Sequence, residues 1–453
     1  FEVEAIKAPL VDTLDILFHL HILNDDPAYV YSQTFAVFLG LDVTEEDFKE
    51  VNFEHEYELI EDVVEQLVEI IKNSELTLVS DVMDLVNEVM SSSNIVDTVL
   101  NNRKLVNNDN LHAVLNIVND VLESQILEAI FGEMVKAYVE PLVQDFFSLS
   151  DYSYALAKED LQEIIEALHK VVDFNVLGIY RDGEEINWAN TEGVEALVKA
   201  LLGSHLVELK KADLLDYVTN NIYDISYIDA DSLDLASDVE YINATIRILM
   251  KEVCTQEAFP IHYYDDIKVV DFTNYEQFLN REMLLPVVDA LEALAGSTIL
   301  DAALDFGYNK LLPELMPEDY MFVFTEDLSK EYLREDYVRI LDIARTVIEQ
   351  ELYKYLTDKD ILINGLASVA SSALTNVLKT HMIGDELESK IAKAMELLGF
   401  EIEANEIGTI KIDNDLVILN DVLYKLEDML VNSGFVYVSE LLDKIQGFTS
   451  LDA

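Results

Sequence analysis

The chain has 453 residues, with 89 Asp and Glu against 29 Lys and Arg, for a formal net charge of −60. Its 51% apolar content and mean hydropathy of +0.15 exclude a disordered polyacid, and only seven Pro and 14 Gly exclude a collagen-like or linker-like chain. So negative a field repels nucleic-acid phosphates and anionic membranes and attracts cations, either metal ions or basic proteins.

Residues 1–50 read as an N-terminal segment, part helical and part extended. LFHLHIL places His19 and His21 beside Asp25 and Asp26. A partly buried or interfacial histidine pair explains this better than zinc ligation, because no His-Glu-x-x-His occurs and Cys254 is the one cysteine. A chain opening on Phe1 rather than Met is expected to be a processed chain or an excised fragment.

From residue 51 the chain turns amphipathic. In ELIEDVVEQLVEIIK, residues 58–72, Leu59, Ile60, Val63, Val64, Leu67, Val68 and Ile71 recur at three- and four-residue spacing, with acids on the other face. The pattern returns at 160–172, 194–202, 337–356 and 416–431. Residues 51–150 are therefore expected as helical-hairpin repeats. Residues 151–230 are expected as a helical repeat with a β-hairpin over 177–188, where LGIYRDGEEINW alternates around Asp182-Gly183. A further helical repeat is expected over 231–325 and a helical pair over 326–399. Residues 400–453 read as a β-hairpin, FEIEANEIGTIKID, followed by a C-terminal helical hairpin. Stretches 222–228, 267–272 and 320–324 are further extended candidates.

Five junctions resemble one another: VEQLVEIIKNSEL at 64, VNDVLESQIL at 118, VEALVKALLGSHL at 194, VDALEALAGSTIL at 288 and LYKLEDMLVNSGF at 423. Each has an apolar helix, then Gly, Asn or Glu, then Ser, one variable residue, and Leu, Ile or Phe. Asn73, Gly203, Gly296 and Asn432 suit the left-handed turn that ends a helix. Ser74, Ser124, Ser204, Ser297 and Ser433 are expected to cap the amides of a second helix, with Glu75, Glu128, Glu208 and Asp301 near its positive end. Catalytic serine is the sharper alternative, but no Gly-x-Ser-x-Gly elbow and no recurring His accompanies these residues. The spacing suggests a unit of about 40–50 residues with degenerate copies. The expected fold is mainly α: a diverged, α-solenoid-like array of helical hairpins with short β-hairpins between units.

Few residues suggest chemistry. In DADSLDLASDVE, Asp229, Asp231 and Glu240 occupy positions one, three and twelve of a calcium loop, but Leu233 and Asp234 stand where the loop needs an oxygen ligand and Gly. They are the candidate metal residues, with calcium as the candidate cation and no cofactor required; a helix start explains them better. Glu184 and Glu185 near Trp188 hint at a glycan site, against the plainer reading of a solvated hairpin. Gly-rich phosphate loops are absent, and Cys254 among acidic neighbours reads as a half-buried thiol. The uncharged stretch 361–378 has about the minimum length of a membrane span, but its Asn, Ser and Thr content favours a helix packed on other helices. No transmembrane segment is expected.

The Ser-x-Leu/Ile junctions, Pro141 in AYVEP, Pro317 after LLPEL, the acidic faces and the excess of Lys over Arg resemble the long helical-repeat surface proteins of low-GC bacteria, the Firmicutes and their cell-wall-less relatives. The resemblance implies a structural or adhesive role and transfers no catalytic residue. The expectation is a non-enzymatic structural or interaction protein, extracellular or at the cell surface, whose partner is itself in a filament or layer. Behind it stand a scaffold for basic proteins or cationic ligands, and then a glycan-acting enzyme.

Overall fold

Amphipathic periodicity becomes helix through most of the computed structural model. It describes residues 26–441, with 9, 12, 13, 16 and 444, apart from 77, 92–97, 100–101, 176–177, 179–184, 223, 227, 257–260, 265–266, 271–277, 326–327, 357–361, 384–386, 398–399, 401 and 408–410. His19 and His21, and the Asp182-Gly183 turn, lie outside the described residues. The chain divides into two compact units, residues 1–224 with 261–269, and residues 225–260 with 270–453.

The first unit opens with α1 (Pro27–Phe38), where Asp26 accepts the Tyr29 amide and Pro27 fits the first helical position. Phe48, fully buried, gathers Leu41, Val43 and Ile130 into a core at this end. The unit continues through α2 (Phe53–Asn73), α3 (Val79–Ser91), α4 (Asn108–Val121), α5 (Gln125–Met134), α6 (Tyr154–Asp173), α7 (Glu192–Leu202) and α8 (His205–Asn221). Their apolar stripes decide the neighbours. Helix α4 packs between α2 and α6, α7 lies on the other side of α6, and α8 folds back on α6.

The second unit has the same plan. It contains α9 (Leu235–Ile248), α10 (Arg281–Ala293), α11 (Thr298–Asp305), α12 (Lys330–Glu349), α13 (Leu366–Leu378), α14 (Leu387–Leu397) and α15 (Ile412–Asn432). Helix α10 packs between α9 and α12, and α13 packs between α12 and α15. Val288, Leu341, Ile348 and Tyr353 form the core where α10 meets α12.

Of the extended stretches expected, 267–272 is met in part by a strand, the hairpin over 400–413 is not seen among the described residues, and residues 177 and 179–184 of the hairpin over 177–188 lie outside them. Among the described residues the one sheet pairs β1 (Ile261–Tyr264) with β2 (Ile267–Val270), between α9 and α10. Over 400–413 the chain instead makes a helical turn, Ala404–Ile407, and enters α15 at Ile412. The reason is local capping: Glu406 accepts the Glu403 amide and Asp415 accepts the Lys411 amide, so the acids that alternate in sequence act as helix-start acceptors. Residues 320–324 likewise fall in or beside a 3-10 turn, Glu318–Val323, set off by Pro317. Among the described residues no single helix is long and apolar enough to cross a membrane; the stretches 281–296 and 298–315 reach that length only together, across a 94° bend.

Candidate functional site

Each helix start leaves backbone amides without an intrahelical partner. At α5, α8 and α11 these are satisfied by two agents. The first is local: Ser124, Ser204 and Ser297 accept the amides of Leu127, Val207 and Leu300. Their hydroxyl protons are also committed, Ser124 to Glu56 and the other two to the carbonyls of Leu201 and Leu294.

The second agent comes from far away in sequence. Glu56 of α2 accepts the Gln125 amide at 2.7 Å. Asp160 of α6 takes the amides of His205 and Leu206 at 2.8 and 3.0 Å. Asp238 of α9 takes those of Thr298 and Ile299 at 2.6 and 2.9 Å. Asp336 of α12 takes those of His381 and Met382 at 2.8 and 2.7 Å, after Thr380 at the place of the junction serine. These four acids are among the most buried polar groups of the chain: Glu56 is 3% exposed, Asp160 5%, Asp238 1% and Asp336 0%. A buried carboxylate is costly unless its oxygens are filled; here backbone amides fill them, those of a helix start, at the positive end of the helix dipole, for Glu56, Asp160 and Asp238, and those of a turn for Asp336. Burial works against the charge on Asp160, but the His205 and Leu206 amides, the Tyr152 hydroxyl and the His205 ring outweigh it and hold its pKa below the usual carboxylate value.

The recurring element is thus three-part: a helix bearing the acid, a partner helix packed on it, and a capped turn that the acid clamps. The junction hydroxyl residues, Ser124, Ser204, Ser297 and Thr380, are 80, 93 and 83 residues apart, about twice the unit expected from the junctions. A longer period overlies this one. Ser153, Asp160, Asn175 and His205 recur 176 residues later as Ser329, Asp336, Glu351 and His381. Ser153 and Ser329 both cap a 20-residue helix, and Asn175 and Glu351 both have positive φ, 62° and 56°. Each histidine Nδ1 meets its clamp Asp, at 2.8 and 3.0 Å, and each Nε2 stands 3.7 Å from the preceding Glu, Glu159 or Glu335. Asn107 and Ser124 recur 173 residues later as Asn280 and Ser297, each asparagine capping a partner helix. The two compact units are therefore two copies of one plan.

Ser74 and Ser433 belong to another device. Each ends a 21-residue helix and donates to the carbonyl four residues back, Ile70 or Met429. The next turn is closed by an acid, Asp81 or Glu440. They are C-terminal turns, so the expectation that they cap a following helix does not describe them. Asp229 caps the short turn Ala230–Ser232 by accepting the Asp231 amide, while Glu240 lies on α9. Among the described residues no three His, Cys, Asp or Glu side chains gather as a metal-binding group, Asp229, Asp231 and Glu240 included. Trp188 packs edge-on against Phe174 at 5.7 Å. Cys254 is half-buried, and burial pushes its thiol up to about 11.

The clamp acids escaped the junction patterns because their partners lie 45–69 residues away. The signal that finds two of them is the pair Ser153-x6-Asp160 and Ser329-x6-Asp336, each followed 44 residues after the Asp by a hydroxyl residue and then His. Compared with family models, curated proteins and solved structures, the chain matches none.

Proposed function

We propose that this chain is a non-enzymatic structural or interaction protein, an α-solenoid-like array that associates with copies of itself at the cell surface or outside the cell. The reading is carried by the outer face of α15. Helix α15 repeats α2: both span 21 residues and both end in Asn-Ser and a positive-φ residue, Glu75 or Gly434. Helix α2 has α4 packed on it, and its Ile70 is buried. The equivalent Met429 of α15 is 56% exposed, and Val417 and Ile418 are 70% and 63% exposed. Exposed apolar side chains of this kind support a contact surface, and the occupant inferred is a helix of a second copy.

The charge of −60 shapes such a contact. Acidic rims repel across the seam, so association strengthens as salt or divalent cations screen them. Light scattering and negative-stain imaging across ionic strength, with calcium or a chelator, test the reading. Growth of assemblies with salt supports it; a strict monomer under all conditions defeats it.

A further inference from the structure

His112 and His169 take no part in the clamps. They stand on α4 and α6, which pack side by side in the first unit. Their Nδ1 atoms are 2.7 Å apart. The ring planes agree within 9° and the centroids are 5.0 Å apart, so the two imidazoles meet edge to edge. One Nδ1 donates and the other accepts, placing a single proton between two ring nitrogens. The far nitrogen of His112, Nε2, faces the Asp173 carboxylate at 3.5 Å. That carboxylate favours an Nε2–H on His112, which leaves its Nδ1 as the acceptor and His169 as the donor. Burial first, and then His112, lowers the pKa of His169 against the opposing pull of Asp173 and Glu166.

We propose that His112 and His169 bind one divalent transition-metal ion, of the zinc, nickel or copper type, through both Nδ1 atoms. The metal takes the place of the shared proton, which moves to Nε2 of His169, so neither ring changes charge. Metal–imidazole bonds of about 2.0–2.1 Å require the two nitrogens to part to roughly 3.3 Å, a small rotation of two side chains. Asp173, accepting from His112 Nε2–H, would orient that ring in the carboxylate–histidine–metal manner. Two neutral nitrogens select borderline metals over calcium or magnesium, which separates this site from the many surface carboxylates. No third protein ligand of the usual kinds converges there among the described residues, so water completes the shell, and the partly exposed His112 side chain leaves room for it. Bound metal would cross-link α4 to α6.

The test uses the full chain with one equivalent of Cu2+, read by electron paramagnetic resonance, and Ni2+ titration by calorimetry. The expected result is imidazole-nitrogen splitting in the wild type, lost or halved in His112→Gln and in His169→Gln, with at least a tenfold fall in Ni2+ affinity. The double variant His205→Gln/His381→Gln should bind as the wild type does. Wild-type spectra with oxygen ligands alone would overturn the proposal without reference to any variant. So would nitrogen splitting that persists undiminished in both single variants, which would place the ion at other histidines such as His19 and His21.

Discussion

Asp160 and Asp336 stand 176 residues apart and share three bonds. Each spreads its two carboxylate oxygens over two consecutive amides, and each receives the Nδ1 side of a histidine that begins the clamped turn. The pairing joins a helix to a turn 45 residues further on, so it fixes the separation and orientation of elements that local propensity leaves free.

Removing such a clamp leaves two part-buried amides without an acceptor. Asp336→Ala is expected to cost about 3 kcal/mol, since each unsatisfied buried group costs about 1–3 kcal/mol. Asp229→Ala, at an exposed cap of a single turn, is expected to cost less than about 1 kcal/mol. Urea unfolding of the two variants beside the wild type checks the contrast. Equal losses would remove the special standing of the buried acid.

The clamp at Asp160 also makes acid sensitivity. Its folded pKa is depressed, so its stabilisation is complete above the unfolded value of about 3.9 and is lost as pH falls through the lower folded value. Asp160→Asn should be less stable than the wild type at neutral pH. The gap should narrow below about pH 4. Denaturation midpoints at pH 7, 5 and 3 measure it, and a gap that widens in acid would contradict the sign.

Glycine spacing distinguishes two kinds of helix position. A Cβ on Gly193 would lie 2.5 Å from the Lys170 carbonyl oxygen, where α7 crosses the end of α6, whereas one on Gly132 meets nothing within 4 Å. Gly193→Ala should therefore destabilise by about 1–3 kcal/mol through overpacking. Gly132→Ala, inside α5, should stabilise by about 0.5–1 kcal/mol. Thermal unfolding gives both signs.

The outer face of α15 predicts association that depends on apolar contact as well as charge. Ile418→Glu/Met429→Glu, at two exposed positions, should leave the fold intact and shift any salt-induced assembly to monomer. Sedimentation at low and high salt reads the change; assembly unaffected by the substitutions would move the contact elsewhere.

Cys254, with its thiol raised to about 11 by burial, holds a thiolate fraction on the order of a thousandth at pH 8. A disulfide reagent should label it slowly in the native protein and at least tenfold faster in urea, as followed by absorbance.

Sequence alone settled the helices and part of the capping. Three- and four-residue spacing marks α2, α6 and α12 because an amphipathic stripe is a property of contiguous residues. Ser124, Ser204 and Ser297 are readable for the same reason, since a cap acts on amides three residues away. Ser74 and Ser433 share the junction pattern but end helices, because a hydroxyl serves equally well at either terminus and the turn that follows decides. Which of 89 acids would be buried was settled only in three dimensions. Glu56, Asp160, Asp238 and Asp336 differ from their neighbours in lying opposite a helix start or turn 45–69 residues away, and local sequence carries no term for that distance. Tertiary packing likewise decided that the repeating element is a clamped set of helices rather than a hairpin, because the bond that closes the element spans it.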